Sequence, residues 1–362
     1  MNFTYLSTNI FILIDNPLVG IKDIARLAGV SIGTVDRVLH DRGRVSAKSL
    51  KKIQEVIREV NYKPNLIARS LVSKKKIKLA LIVPDFKQDE YWTQSQKAVE
   101  VAKEDWAVYG IQLDLFLFDL EDTASFSRAT KKALAFKPDG VIVVPIFYDK
   151  GLLFLKKCEQ NNLPVVIFNT HLPLSKTLSY IGTDSFQSGM LAAELLHLSV
   201  KEKGKFVVLH FDEELTNSVH MLEKEKGFRA YFIKEDTNKM ISVITVVLNN
   251  TKHEYQKQLT SLFNKKDILG IFVSTSKTYI VSEFMEQKKI NTIKLVGYDL
   301  IKKNIDLLKR GSINFLINQN IERQTELAIH TMSNYLLYKQ IPEKNIHFPL
   351  EIITRYNVLS YL

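Results

Sequence analysis

The sequence contains a single cysteine, Cys158, so no disulfide can form within one chain. Such scarcity is typical of proteins in a reducing cytoplasm, where we expect this protein to act. Apolar residues precede Cys158, which indicates a buried thiol rather than a catalytic one. The apolar run at 10–14 has only five residues and no basic segment before it. A membrane span needs about 20 apolar residues and a signal peptide begins with positive charge, so we expect neither a leader nor a membrane partner.

Familiar catalytic patterns are also absent. The first predicted strand ends in Pro84-Asp85-Phe86-Lys87, where a phosphate-binding loop would need glycines. No Gly-x-Ser-x-Gly nucleophile elbow follows a predicted strand, and the eight histidines show no spacing suited to a metal. We therefore expect no enzymatic activity, no cofactor and no metal site.

The positive charge of the chain is concentrated near its N-terminus. A length of 362 residues predicts two or three domains, and 46% hydrophobic with 25% charged residues is a globular composition. Residues 21–78 hold fifteen Lys and Arg against five acids, a net +10 in a chain whose total is +11. Charge clustered in this way indicates a polyanionic partner.

Residues 21–40 predict a helix-turn-helix. Apolar residues at helical spacing stop at Gly29, which can leave a helix with positive φ, and Ser31 is a good N-cap for a second helix. The second helix of such a pair fits the major groove of DNA. An ordinary helical hairpin is the alternative. A third helix is predicted from Ala47 to Val60.

The same stretch resembles the DNA-binding headpiece and hinge of the lactose-repressor (LacI/GalR) family of bacterial transcription regulators. The order D-I-A-x-x-A-G-V-S-x-x-T-V-x-R-V-L at 23–39, V-S at 45–46 and N-Y-x-P-N-x-x-A-R-S-L at 61–71 carries the resemblance. It implies double-stranded DNA as partner, a pseudo-palindromic operator and a homodimer. We expect these residues to contact DNA: Ser31, Ile32, Gly33, Thr34, Asp36, Arg37, His40, Ser46, Ser49, Tyr62, Asn65, Arg69 and Leu71.

Three headpiece positions depart from the family pattern. Gly33 offers no side chain to a base, Asp36 replaces the usual serine, and His40 stands where asparagine is common. Leu71 resembles the family's wedge residue, which enters the minor groove and unstacks a central base step. The operator sequence therefore cannot be carried over from relatives.

After residue 76 short apolar runs alternate with helical stretches. The runs lie at 79–83, 113–118, 141–144, 165–168, 206–209, 241–248, 268–273, 293–296 and 315–317. This alternation predicts α/β architecture with parallel sheets covered on both faces, arranged as two Rossmann-like, doubly wound subdomains.

The order of weaker motifs in this region resembles the periplasmic-binding-protein core of the same family. They are G-V-I-V-V-P at 140–145, I-G-T-D at 181–184, G-F at 227–228, V-G-Y-D at 296–299 and N-Q-N at 318–320. We divide the chain into an extension at 1–20, a helix-turn-helix domain at 21–63, a hinge helix and linker at 64–76 and a ligand-binding core at 77–362. Within the core, subdomain N takes about 77–181 and 320–345, and subdomain C about 182–319 and 346–362.

Polar and aromatic residues that follow the predicted strands are the candidate ligand contacts, because open α/β sheets bind beyond the carboxyl ends of their strands. The set is Asp89, Tyr91, Trp92, Asn169, Asp184, Thr275, Asp299 and Gln319, and the family resemblance adds Lys224. Carboxylates and amides suit the hydroxyls of a sugar. Alternatively, Tyr91 and Trp92 are core residues, and Asp184 caps the following helix.

The ligand itself stays open, since Lys224 lies in a segment where sugar-binding relatives carry arginine and Thr275-Ser276 replaces Asn-Asp. We expect a cytoplasmic, ligand-responsive transcription factor, most simply a repressor with a sugar effector. The alternatives are a sugar receptor without a transcriptional role, a sugar-active enzyme and an architectural DNA binder.

Overall fold

The computed structural model describes residues 20–39, 43, 45–60, 76–173, 175–211, 219–236, 240–249 and 251–362. The chain divides into two compact units, 1–74 and 75–362, and each is considered by itself. The predicted extension, apart from Gly20, and the predicted hinge and linker, apart from Lys76, lie outside the described residues.

The described part of the first unit is a small helical module of α1 (Ile21–Ala28), α2 (Ile32–Leu39) and α3 (Ala47–Glu59). Gly29 ends α1 with φ 64°, a left-handed conformation that a side chain would strain. The hydroxyls of Ser31 and Ser46 accept hydrogen bonds from the amides of Thr34 and Ser49, each at 3.2 Å, and so begin α2 and α3. The apolar faces meet in a core of Ile24, Ala25, Ala28, Val35 and Ile53. The predicted helix-turn-helix with a third helix is confirmed.

In the second unit strands and helices alternate. The strands are β1 (Ile77–Pro84), β2 (Ile111–Phe118), β3 (Gly140–Val143), β4 (Val165–Phe168), β5 (Ser179–Gly182), β6 (Gly204–Phe211), β7 (Ile241–Leu248), β8 (Ile268–Val273), β9 (Lys294–Tyr298), β10 (Phe315–Asn318), β11 (Asn345–His347) and β12 (Glu351–Ile353). The helices are α4 (Glu90–Ala107), α5 (Thr123–Ala135), α6 (Tyr148–Gln160), α7 (Ser185–Leu198), α8 (Val219–Glu235), α9 (Lys252–Phe263), α10 (Thr278–Gln287), α11 (Lys302–Arg310) and α12 (Ile321–Tyr338), followed by a short 3-10 helix (Val358–Tyr361).

These strands form two six-stranded sheets. The first has the order β11-β5-β4-β3-β1-β2 and the second β12-β10-β9-β8-β6-β7. Neighbouring strands are parallel throughout, except that β12 runs antiparallel to β10. The central strands are buried on both faces, which explains their continuous apolar runs. The predicted class of two doubly wound α/β subdomains is confirmed.

Three short strands are absent from the predicted apolar runs: β5, β11 and β12. Each has only three or four residues, and each contains both polar and apolar residues. A strand of this length is held by pairing with a neighbour rather than by its own pattern. β11 extends the first sheet and β12 the second, although only three residues separate them.

The chain changes sheets three times. After β5 it enters α7, which packs on β8 and β9, and after β10 it enters α12, which packs on β3 and β4. The third passage lies between β11 and β12. Each sheet with its helices therefore combines segments that are distant along the sequence.

Candidate functional site

The second helix of the N-terminal module presents a row of exposed residues. Ser31, Ile32, Gly33 and Arg37 are exposed, with Ile32 49% exposed despite its apolar side chain. The Arg37 Nε donates to the carbonyl of Gly33 at 3.1 Å, which leans the guanidinium along the helix surface. An exposed isoleucine beside an arginine on a recognition-type helix suits contact with base edges.

Other predicted DNA contacts have local roles as well. Ser31 and Thr34 share a hydroxyl–hydroxyl bond of 2.8 Å, and the Ser46 hydroxyl donates to Ser49 Oγ at 2.9 Å. Asp36 is half-buried beside Arg37 on α2. The remaining predicted contacts lie outside the described residues: His40, Tyr62, Asn65, Arg69 and Leu71.

In the second unit, a cavity lies where strands of both sheets end. Its lining comprises Asp89, Tyr91, Trp92, Leu120, Ile146, Asn169, Ser185, His220, Lys224, Ser274, Thr275, Ser276, Asp299 and Gln319. Eight of the nine predicted ligand contacts are in this set. Their positions span 230 residues of sequence and both sheets, so only the topology brings them together. We call this cavity the cleft.

The ninth residue, Asp184, is not among the lining side chains. Its Oδ1 accepts a hydrogen bond from the amide of Gln187 at 3.0 Å and caps α7, which matches the alternative interpretation of this residue. Its neighbour Ser185 lines the cleft instead.

On the side of the first sheet, the lining is aromatic and amide. Asp89 caps α4 by accepting a hydrogen bond from the Tyr91 amide at 2.8 Å. Burial raises the pKa of Asp89, although this hydrogen bond and the positive charge of Lys277 both act to lower it. Tyr91 accepts on its hydroxyl from Asn169 Nδ2 at 2.7 Å, and burial raises the pKa of Tyr91. Trp92 meets the Tyr91 ring edge-on at 5.2 Å. Both aromatics are core residues and lining residues at once.

On the side of the second sheet, the lining is charged. Lys224 is 2% exposed; its ammonium donates to the carbonyl of Ser274 at 3.1 Å and lies 3.6 Å from the ring centre of Tyr298. Asp299 is also 2% exposed and accepts from Gln319 Nε2 at 3.1 Å. Burial raises the pKa of Asp299 to about 7, although Lys224 and Gln319 act in the opposite direction.

Two backbone positions in the cleft are unusual. Asn169 has φ 63° and Asp299 has φ 67°, both in the left-handed region that favours glycine. Asn and Asp tolerate this region better than other side chains, yet each conformation costs free energy. Both residues immediately follow a strand, so the turn aims their side chains into the cleft.

His220 is not among the predicted ligand contacts, although it lines the cleft one helical turn before Lys224 on α8. Burial lowers the pKa of His220 to about 3, helped by Lys224 and His210, so the imidazole is neutral at pH 7. The signal available was the i, i+4 spacing to Lys224, which places both side chains on one helix face.

The cavity in the cleft is small, about 70 Å³. Glu90 on α4 accepts from the amide of Lys302 at 2.6 Å, and Gln94 donates to the carbonyl of Leu300 at 3.3 Å. Ile301 packs among the core residues of the first sheet. The segment directly after Asp299 thus ties the two sheets together at the rim.

Among the described residues there is neither a candidate metal site nor a helix that could span a membrane. No group of three or more His, Cys, Asp or Glu side chains in the described ranges could hold a metal ion. The helices that the structure describes are all too short or too polar to cross a bilayer.

The fold and the cleft define a class: a periplasmic-binding-protein core that follows a helix-turn-helix module. Comparison with known families agrees, since residues 79–340 match the model of a periplasmic binding protein domain and residues 20–65 match that of bacterial regulatory proteins of the lacI family. The chain belongs to the lacI family of transcriptional regulators. The predicted family is confirmed, as is the expectation of a DNA-binding regulator rather than an enzyme.

Individual relatives give the same assignment. The chain is 30% identical over 352 residues to the ribose operon repressor of Halalkalibacterium halodurans, covering 92% of this chain and 96% of that protein. It is 25% identical over 284 residues to the sucrose operon repressor of Streptococcus mutans, covering 77% and 82%.

Solved structures resemble most of the chain. A protein described as a LacI transcriptional regulator from Bacteroides fragilis superimposes with a TM-score of 0.74 at 25% identity, over 80% of this chain and all of that one. GanP, a glucose-galactose binding protein from Geobacillus stearothermophilus, gives 0.68 at 19% identity, over 78% and 99%. At this identity the second likeness concerns the fold alone.

Proposed function

We propose that this chain is a cytoplasmic, homodimeric repressor of a sugar operon whose affinity for its operator changes when a sugar occupies the cleft. The observation that carries the proposal is the cleft itself, where carboxylate, amide and ammonium groups converge beside two aromatic rings. Such groups accept from and donate to neighbouring hydroxyls in pairs, and an aromatic ring covers the apolar face of a sugar. The names of the repressors to which the chain is similar support a sugar effector.

The small cavity also bears on how a sugar enters. Ligand pockets commonly measure about 300–1,000 Å³, several times the cavity present here. We infer that the two subdomains separate to admit the effector and that its contacts then hold a new separation. We assign subdomain N to residues about 77–181 and 320–345 and subdomain C to about 182–319 and 346–362.

The effector is tested by titrating the full chain with D-ribose and, separately, with sucrose in a calorimeter. We expect D-ribose to bind, because the similarity to a ribose operon repressor extends over nearly the whole chain. Heat with sucrose alone would move the effector to that class, and no heat with either sugar or any of a panel of common monosaccharides would contradict a sugar effector.

The DNA-binding half has its own test. An operator is selected from a random double-stranded library, and its affinity is measured across salt concentrations. Log K should fall with log salt by about 0.9 for each phosphate contacted. Arg37→Ala should cost about 1–3 kcal/mol and relax preference at one base pair. Arg26→Ala on α1 is the control, since any loss there should be uniform across sequences. Salt-independent binding would exclude a groove-bound helix.

Assembly and the hinge complete the proposal. Sedimentation of the full chain at micromolar concentration should show a dimer, and the selected operator should be a pseudo-palindrome. Leu71→Ala should lose most operator affinity while calorimetry with D-ribose stays unchanged. Tyr62, Asn65 and Arg69 are assigned to the same contact region by their positions in the family motif. A monomer both with and without operator would contradict the dimer.

A further inference from the structure

A second histidine, His210, lies behind the cleft rather than in its lining. It is the penultimate residue of β6 and is fully buried. Both ring nitrogens have close polar neighbours: Nδ1 is 2.8 Å from Ser274 Oγ, and Nε2 is 2.8 Å from Glu225 Oε2. Burial of an imidazole is favourable only when its nitrogens are hydrogen-bonded, so these two contacts fix the orientation of the ring.

Glu225 anchors one side of His210. Burial alone would raise the pKa of Glu225, but hydrogen bonds from His210, Thr245 and Arg229 lower it to about 2. The carboxylate is therefore ionised at neutral pH and accepts from Nε2–H of His210. Arg229 donates its Nε to the other carboxylate oxygen at 2.7 Å and its Nη1 to the carbonyl of Val243 at 3.0 Å. The anchor thus extends to the edge strand β7.

Ser274 connects the other side of His210 to the cleft. Ser274 follows β8, is fully buried, and donates its amide to the carbonyl of Leu209 at 3.1 Å. Its hydroxyl faces His210, while its carbonyl accepts the ammonium of Lys224. Lys224 and Glu225 are consecutive on α8, so the contacts Lys224–Ser274–His210–Glu225 form a closed circuit through α8, β6 and the end of β8.

The circuit has a consequence for Lys224. A lysine has four side-chain torsions and holds one position only when its ammonium is restrained. Here the Ser274 carbonyl and the Tyr298 ring provide that restraint within the cleft. We propose that His210 is a positioning residue, which holds Ser274 and thereby places the Lys224 ammonium for the effector. Glu225, Arg229 and Thr245 hold His210 in turn.

This role is distinguishable from a purely structural one by NMR. Because the Lys224 ammonium lies 3.6 Å from the centre of the Tyr298 ring, we expect the ring current to shift the Lys224 ε-CH₂ signal upfield. A full-length protein labelled at lysine Cε would show this shift directly. The Lys224→Arg variant identifies the signal by its loss. His210→Gln places an amide near the former Nε2 and keeps the Glu225 contact but not that to Ser274. His210→Asn places an amide near the former Nδ1 and keeps the Ser274 contact.

We expect the Lys224 signal to lose its upfield shift in His210→Gln and to retain most of it in His210→Asn. Ser274→Ala, which removes only a hydroxyl, should behave like His210→Gln and decides the matter if His210→Gln fails to fold. His197→Gln is the matched control, because His197 of α7 contacts Tyr231 at 3.2 Å in the same subdomain and does not line the cleft. Its Lys224 signal should stay in place.

The second readout is the affinity for D-ribose, which rests on the proposed function. Lost positioning of a charged donor should weaken binding at least about tenfold in His210→Gln and Ser274→Ala. If wild-type protein does not bind D-ribose, the assignment of D-ribose as effector fails, while the NMR comparison still decides the role of His210. An unchanged Lys224 signal in both His210→Gln and Ser274→Ala would overturn the positioning role, and equal losses in His210→Gln and His197→Gln would do the same.

Discussion

The two walls of the cleft differ in chemistry although both are built from strand ends of similar sheets. Tyr91, Trp92 and Asn169 on the first wall belong to or border the apolar core. Lys224 and Asp299 on the second wall have ionisable side chains that are buried and hydrogen-bonded to neighbouring polar groups. The difference teaches that one wall is part of the apolar core, whereas the other carries charges that are costly to bury. That cost supports the proposed contact with a ligand.

Among the predictions for the two walls, we expect the largest effect on stability from a substitution at Trp92. Trp92→Ala removes a side chain that is 3% exposed, and the cavity left behind should lower the free energy of unfolding by about 3–5 kcal/mol. Urea unfolding measures the change. Trp106→Ala is the matched control on the same helix, where the side chain is half-buried and the loss should be smaller. Equal losses would show that the first wall is not part of the core.

On the charged wall, we expect the removal of the Lys224 ammonium to weaken the binding of D-ribose. Lys224→Met keeps the length and the apolar stem but removes the ammonium. A hydrogen bond to a charged group contributes about 1.5–3 kcal/mol, so D-ribose affinity should fall about tenfold to a hundredfold. Lys226→Met is the control two residues along α8, because Lys226 is exposed and pairs with Glu223. Unchanged calorimetric affinity in Lys224→Met would remove Lys224 from the binding wall.

The pH dependence of stability sharpens the contrast further. Since burial raises the pKa of Asp299 to about 7, the folded protein binds more protons at this carboxyl than the unfolded chain does. The stability that protonation contributes is present at low pH and is lost as pH rises from about 4 to about 7, at no more than about 1.4 kcal/mol per pH unit. Asp299→Asn should remove this slope. Urea unfolding of both proteins at pH 5, 6, 7 and 8 measures the difference, and parallel curves would contradict the raised pKa.

The smallest expected effect concerns a hydrogen bond within the first wall. Tyr91→Phe removes the hydroxyl that accepts from Asn169 Nδ2. Loss of one such bond should lower the free energy of unfolding by about 1 kcal/mol. Tyr335→Phe, on α12 and outside the cleft lining, is the control for loss of a phenol. A loss as large as that of Trp92→Ala would mean that Asn169 depends on this bond for its strained turn.

Much of the fold could be predicted because its signals are local. Gly29 and Ser31 encode the turn of the helix-turn-helix through backbone freedom and capping. The central strands are continuous apolar runs because both of their faces are covered, and this property is visible in any short window. The clustered positive charge of residues 21–78 likewise needs no tertiary structure to be recognised.

The composition of the cleft needed both kinds of information. Residues that follow strands could be named from sequence, and seven of them line the cavity, whereas Lys224 was named from the family resemblance. Asp184 follows a strand by the same rule and instead caps α7, because the direction of a side chain depends on the turn that carries it. His220 follows no described strand and reaches the cleft from α8, so the strand-end rule could not find it.

The burial of charge was decided by the tertiary structure alone. Local composition does not show that Lys224 is buried while Lys226 is exposed, and nothing around His210 links it to Ser274, 64 positions later. A shifted pKa or a fixed ammonium arises from the solvent that neighbouring elements exclude and from the partners that they bring within 3 Å. Those neighbours are distant in sequence, so local composition determined the elements and the helix-turn-helix, while topology determined the chemistry of the cleft.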